Sequence, residues 1–294
     1  MSELYGGVET GGTWCVCALG SGPDEIVAHE RFATGAPAET LDRIVAFFAA
    51  GPPAAAIGVG SFGPVDVDPD SPTWGHVTTT PKPGWAHTPV ATVLRQRIGV
   101  PVAFETDVNA AALGEQRWGA GREAASLCYI TVGTGIGAGL LVNDRPVHGL
   151  VHPEVGHLRI PHDDRRDPFA GACPFHGDCW EGLAGGPALA ARWGHQGRDL
   201  PDQHPAWELE AEYLALGTLS IVMVASPHRV ILGGGVMERA PLLGLVRARL
   251  ADLVAGYLDQ PLLGAEVDRY VVSPALDGDA GVLGAIALAA RLRP

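Results

Sequence analysis

Between His157 and Glu181 the chain reads HLRIPHDDRRDPFAGACPFHGDCWE, and three potential soft-metal ligands fall within seven residues of it: Cys173, His176 and Cys179. Their C-x2-H-x2-C spacing keeps the donors close. With His157 upstream they make a Cys2His2 set, the number and type of ligands that tetrahedral zinc takes in closed structural sites. The same two cysteines are also near enough in sequence to form a disulfide. Five cysteines in all, and an opening MSELYGGVET without a basic region leading into an apolar stretch, point to a cytoplasmic, reducing setting in which thiolates more often hold metal. Glu154 lies three residues before His157 and Glu181 two after Cys179, so a metal here would also fix two carboxylates.

Glycine supplies the next candidates. In Glu9-Thr10-Gly11-Gly12-Thr13, backbone N–H groups and hydroxyls can face phosphate oxygens, and Glu9 can position a hydrated magnesium ion. This is no Walker loop, because the lysine is missing. Alone, a Gly-Gly hairpin is more often only a turn. Val132-Gly133-Thr134-Gly135-Ile136-Gly137 strengthens the reading, since two such turns in matching places, facing one cleft, are expected if both hold one polyphosphate. Gly233-Gly234-Gly235 lies between a predicted strand and a predicted helix, a place for a nucleotide against backbone or simply a tight turn. Asp107 starts a predicted helix. It is either a plain N-cap, accepting from the N–H of Asn109 or Ala110, or a carboxylate at the mouth of a cleft able to take a proton from a substrate hydroxyl.

The elements that must position these groups follow from periodicity. Residues 4–9 and 13–19 read as two strands joined at Thr10-Gly11-Gly12, with a third strand near 26–33. Leu41, Ile44, Val45 and Phe48 recur at helical spacing, so a helix runs from Ala38 to Ala50 before a strand at 54–60 that leads into Ser61-Phe62-Gly63-Pro64. Thr88 and Pro89 read as N-cap and first position of a helix that Gly99 ends; PVAF at 101–104 is the next strand. At about residue 126 the pattern restarts with SLCYITVGTGIGAGLLV, again strand, Gly/Thr turn and strand. The echo predicts a duplicated two-lobe fold. Helices are expected at 186–193, 206–225 and about 240–257, strands at 228–232 and 268–272, and an Ala/Leu-rich helix at 279–292.

Length and composition set the outer bounds. A chain of 294 residues, 47% hydrophobic and 18% charged, fits a globular enzyme of two lobes. The expected division is 1–118 and 119–278, the second holding the metal loop 157–181 and the final helix, 279–294, packing back on the first. A net charge of −13 and no basic cluster argue against a nucleic-acid surface, and no apolar run reaches membrane-spanning length. The 40 glycines gather in bursts, as at turns beside ligands. Lys82 is the one lysine, in a loop stiffened by Pro81 and Pro83; a compact ammonium there suits phosphate or a polar substrate, and a solvated loop charge is the plainer alternative.

In order, the acidic-x-Gly-Gly-Thr opening, TDVNAAALGE, ITVGTGIGAGL, HPEVGH, CPFHGDCWEGL and ILGGGV resemble the ROK family of sugar kinases over nearly the whole chain, and CPFHGDC with TPKPGW is similar to its zinc-containing fructokinase branch. The resemblance implies an α/β, actin-like (ribonuclease H-like) ATPase fold and transfer of the ATP γ-phosphoryl group to the 6-hydroxyl of a hexose, fructose first. It also implies Asp107 as base; Glu154, His157 and Glu181 on sugar hydroxyls; and Thr134, Pro187 and Gly233 to Gly235 on ATP or ADP. Mg2+ beside the nucleotide, structural Zn2+ and a homodimer come with it. Trp14 departs from the Lys that many relatives carry after Gly-Gly-Thr, and Thr106 from the Asn of glucokinase-like members, which removes a contact that supports glucose. Kinases of mannose, glucose or N-acetylhexosamines are the alternatives, together with non-catalytic sugar-sensing proteins; the first strand, beginning by Leu4, leaves no room for the helix-turn-helix of the family's repressors.

Overall fold

The computed structural model describes residues 3–292; the ends of the expected first lobe and last helix, 1–2 and 293–294, lie outside them. Strands β1 (Tyr5–Thr10), β2 (Trp14–Gly20) and β3 (Ile26–Ala33) form an antiparallel meander, and β4 (Ile57–Ser61) and β5 (Val102–Thr106) add in parallel to the other side of β1, giving the order β3-β2-β1-β4-β5. β4 and β5 are buried at every residue, as parallel strands with both faces covered must be. Helices α1 (Pro37–Ala50), with Leu41, Ile44 and Phe48 inward, and α2 (Val90–Ile98) cover one face.

The second sheet repeats the first. Strands β6 (Leu127–Val132), β7 (Ile136–Val142) and β8 (Arg145–Pro146) form the meander, and β9 (Arg229–Gly233) and β10 (Val271–Val272) extend it in parallel beyond β6. Read outward from the meander, the order is β8-β7-β6-β9-β10, the same as in the first sheet. Helices α4 (Trp180–Ala184), α5 (Gly186–Trp193), α6 (Ala206–Ala225) and α7 (Leu242–Val254) belong to its large core, with Trp180 and Trp207 buried. Among the described residues no helix is long and apolar enough to cross a membrane.

Helices α3 (Asp107–Trp118) and α9 (Ala280–Ala289) cross between the sheets. The crossing is close because it is made of small residues: a Cβ at Gly284 would run into the Ala110 carbonyl of α3. α9 lies on β1 and β4 of the first sheet, and Glu115 of α3 accepts the backbone N–H groups of Ala275 and Leu276 at 2.9–3.1 Å, so the segment leading into α9 is held by the helix that Asp107 begins.

Several local expectations are corrected. The cap of α2 falls on Pro89 with no side-chain hydrogen bond; Thr88 is buried instead, its carbonyl accepting from Val77. Gly99 does end that helix, in the left-handed region at φ 81°. Residues 267–270 form a helical turn, α8 (Val267–Tyr270), and only Val271 and Val272 pair as strand, because Tyr270 is drawn into the core with its hydroxyl on the Pro227 carbonyl. The helix after Gly233-Gly234-Gly235 begins at Leu242, close to the expected start near 240, and ends at Val254, three residues short of the expected 257.

Candidate active site

A cavity of about 450 Å³ opens between the sheets, lined by Glu9, Asp107, Gly233 to Gly235, Glu238, Asp277, Gly278 and Gly281 among others. Glu9 is the penultimate residue of β1. Asp107 is the first residue of α3, and the cap of that helix is Thr106, whose hydroxyl oxygen accepts the Asn109 N–H at 3.0 Å. The plain capping role, one of the two readings open for Asp107, is therefore filled by its neighbour. Its Oδ1 takes the Val108 N–H at 2.9 Å, and the carboxylate faces the cavity.

The electrostatics of this floor are unusual. Withdrawal from water pushes the Asp107 carboxyl up to about 7 against the pull of its backbone hydrogen bonds. Burial raises Glu9 to about 8, helped by the charges of Asp107 and Asp279 and opposed by Arg31. Glu154 rises to about 7, by burial first and then by Asp107 and Glu181. Glu9, Asp107, Glu154, Glu181 and Asp279, five carboxylates, thus share one field, an arrangement expected where a base must be poised near neutrality.

Around this floor the structure groups the predicted residues in two sets. Gly133, between β6 and β7, gives its carbonyl to the Gly186 N–H at 2.7 Å, which brings Pro187, in the first turn of α5, beside the second hairpin. Gly234, at φ +93°, packs on Val132 of the same hairpin, and the Val236 N–H bonds the Val132 carbonyl at 3.0 Å. Gly133 to Gly135, Pro187 and Gly233 to Gly235 therefore form one rim. The first hairpin, Gly11 to Thr13, stands apart from it, joined to the cavity through Glu9 on the same strand.

The metal-type residues also come together. His157, Cys173, His176 and Cys179 each present a donor atom, all within 4.8 Å of one another. Nδ1 of His157 lies 3.7 Å from the Cys173 sulfur and 3.6 Å from that of Cys179, and Nδ1 of His176 is 3.7 Å from Cys173. A tetrahedron with zinc–sulfur bonds near 2.3 Å and zinc–nitrogen bonds near 2.0–2.1 Å has S···N edges of about 3.6 Å, so the donor set fits that ion. All five cysteines are free, which sets the disulfide aside. Glu181 follows on α4, and its Oε2 accepts the Ile136 N–H at 3.0 Å, tying the metal loop to the second hairpin.

Other side chains at the site carry little signal in the sequence. His152 is buried; its Nε2 accepts the Val65 N–H at 3.1 Å, which leaves the proton on Nδ1, 3.5 Å from Glu154. Burial lowers its pKa, so it serves as a neutral strut between the Gly63-Pro64-Val65 turn and Glu154. Asp277, Gly278, Ala280 and Gly281 of the DGDAG stretch line the cavity, and a Cβ at Gly281 would clash with the Glu9 carboxylate. Gly278 between Asp277 and Asp279, with Gly281 two residues on, was the one available hint.

Two sheets of one strand order, a crossing helix pair and a cleft lined by acids and Gly-rich turns define an actin-like ATPase fold of the sugar-kinase kind. The ROK family model matches residues 5–292. The fructokinase of Zymomonas mobilis is 42% identical over 98% of this chain and 96% of that protein, and the fructokinase of Streptococcus mutans 39% identical over 99% of each. Among solved structures, a ROK family glucokinase from Streptomyces griseus in complex with glucose and AMPPNP superposes with a TM-score of 0.77 at 27% identity, covering 98% of this chain and 99% of that one. The chain belongs to the ROK family.

Proposed function

We propose that this protein transfers the γ-phosphoryl group of ATP to the 6-hydroxyl of D-fructose, and that it works as a homodimer in the cytoplasm. The observation that carries the reading is Asp107: a carboxylate at the cavity floor, pushed up to about 7 and excused from capping its helix by Thr106. Phosphoryl transfer asks mainly for position and charge, and a base of this strength can take the hydroxyl proton as the bond to phosphorus forms. The fructokinases at 39–42% identity support fructose as the acceptor.

In this reading Glu154, His157 and Glu181 hold sugar hydroxyls, with His152 steadying Glu154. Gly11, Gly12, Thr13, Gly133, Thr134, Gly135, Pro187 and Gly233 to Gly235 contact ATP, and Glu9 would bind water around Mg2+, which supplies positive charge to the phosphates. His157, Cys173, His176 and Cys179 would hold Zn2+ with no position open, so that it orders the loop and takes no part in the chemistry. The lobes are 1–118 with the helix from 279 onward, and 119–278. A coupled assay with ATP over fructose, mannose, glucose and N-acetylhexosamines tests the reading: fructose should give the highest kcat/KM, and a protein inactive on all of them would overturn it.

A further inference from the structure

Each carbonyl of the first hairpin is taken by a donor from elsewhere in the chain. Thr34 gives its hydroxyl to the Gly11 carbonyl at 2.8 Å and its N–H to that of Thr13 at 2.9 Å. Lys82 reaches across 70 residues of sequence to donate its ammonium to the Gly12 carbonyl at 2.6 Å. With the carbonyls so engaged, the N–H groups of Gly12 and Thr13 have no acceptor among the described residues, and together they make a backbone nest for an anion.

The ammonium is delivered deliberately by its loop. Pro81 and Pro83 flank Lys82, its N–H bonds the Thr80 hydroxyl at 3.3 Å, and its carbonyl accepts from Trp85 at 3.3 Å. The buried Trp85 indole anchors the loop by donating to the Gly35 carbonyl at 3.0 Å, beside the Thr34 that holds the hairpin. The hairpin itself brings no cation: Trp14 follows it, with the Arg31 guanidinium laid over the indole at 4.8 Å. Of the three N–H bonds of the Lys82 ammonium, one is used on Gly12, and the others meet no protein acceptor among the described residues. Glu9, on the strand that runs into this hairpin, shares its field with Asp107, which also acts on Glu154 beside Glu181, so the cleft is acidic and an incoming polyphosphate gains from a compact positive group at this turn.

We infer that Lys82 is the protein cation that meets the γ-phosphoryl group of ATP at the first hairpin, with one N–H holding the Gly12 carbonyl aside and the other two on phosphoryl oxygens. The inference rests on the kinase reading above. During transfer the bond from phosphorus to the ADP oxygen breaks, the bond to the sugar oxygen forms, the hydroxyl proton passes to Asp107, and Lys82 keeps its protons while offsetting charge on the group in flight.

Lys82→Gln, Lys82→Met and Lys82→Arg separate this role from that of a tether, because Gln retains a donor for Gly12 without charge and Arg retains charge. Calorimetric titration with AMPPNP and with ADP, beside steady-state kinetics, should show Gln and Met losing roughly 10- to 100-fold in AMPPNP affinity, as for a charge-assisted contact, with ADP affinity and Tm nearly unchanged. Turnover should fall by about 10²-fold or more in both and less in the Arg variant. A Gln variant with wild-type kinetics, or equal loss of AMPPNP and ADP affinity, would overturn the inference. A wild-type protein inactive on every hexose would instead remove the kinase reading, so the two failures are distinguishable.

Discussion

The two Gly-rich hairpins occupy equivalent places in sheets of the same strand order, yet they are held by opposite chemistry. The first is braced by a hydroxyl, a backbone N–H and an ammonium, all aimed at its carbonyls. The second is braced by a carboxylate, Glu181 on the Ile136 N–H, and by the Gly186 N–H on Gly133. Duplication supplied the turn twice; packing gave one copy a positive partner and the other an acidic partner that stands two residues from a metal-type cysteine. The first hairpin is thereby suited to phosphate alone. The second is tied by Glu181 to the loop of His157 to Cys179, so in the proposed reading it would join the nucleotide side to the sugar side.

The largest expected effect comes from the residue between the hairpins. Asp107→Asn should lower kcat by roughly 10² to 10⁴ while leaving fructose and ATP affinity within a few-fold, the usual contribution of a positioned base. Because the carboxyl is raised to about 7 and must be ionised to act, kcat of the wild type should rise with pH through about 7, and this rise should vanish in the variant. Glu9 and Glu154 titrate in the same field, so the profile reports the cluster. Near-normal turnover in Asp107→Asn would leave the comparison without a catalytic centre.

Next is the link itself. Cys179→Ser should reduce the metal found by elemental analysis from about one zinc per chain towards none, as loss of one ligand from a closed four-ligand site predicts. It should also lower Tm by roughly 5 °C or more, since about 1 kcal/mol shifts a domain of this size by about 2–4 °C. Fructose affinity should weaken in parallel. A metal-free protein as stable and as active as the native one would mean that the second hairpin does not depend on the loop.

Glu181→Gln sharpens the point, because the amide oxygen can still accept from Ile136 while the charge is gone. We expect metal content to stay constant and fructose KM to rise roughly 10- to 100-fold, the range for hydrogen bonds to a charged group. Loss of metal in this variant would show that Glu181 serves the loop before the sugar. The smallest effect is expected at the first hairpin: Thr34→Val removes one hydroxyl from the Gly11 carbonyl and should cost about 1 kcal/mol in denaturant unfolding, with a modest rise in KM for ATP and none for fructose. A larger change for fructose than for ATP would reverse the assignment of the two turns.

What the sequence by itself determined about this protein is what neighbouring residues decide among themselves. The Cys173, His176, Cys179 spacing places three donors within two turns of chain, the paired strand–turn–strand patterns specify both hairpins, and Leu41, Ile44 and Phe48 mark the inward face of α1. Tertiary structure decided the rest. A proline before α2 displaced the expected cap, and Tyr270 was drawn into the core at the expense of a longer strand, because burial outweighs local preference. Thr106 rather than Asp107 caps α3, since the hydroxyl on the last residue of β5 already points back at the Asn109 N–H, which frees the acid for the cavity. The contacts of Lys82 with Gly12, Glu181 with Ile136, and Glu115 with Ala275 span 70, 45 and 160 residues. No spacing in the chain encodes them; they exist only after two sheets have packed across α3 and α9 and brought distant polar groups within hydrogen-bonding reach, where a buried group left without a partner is costly.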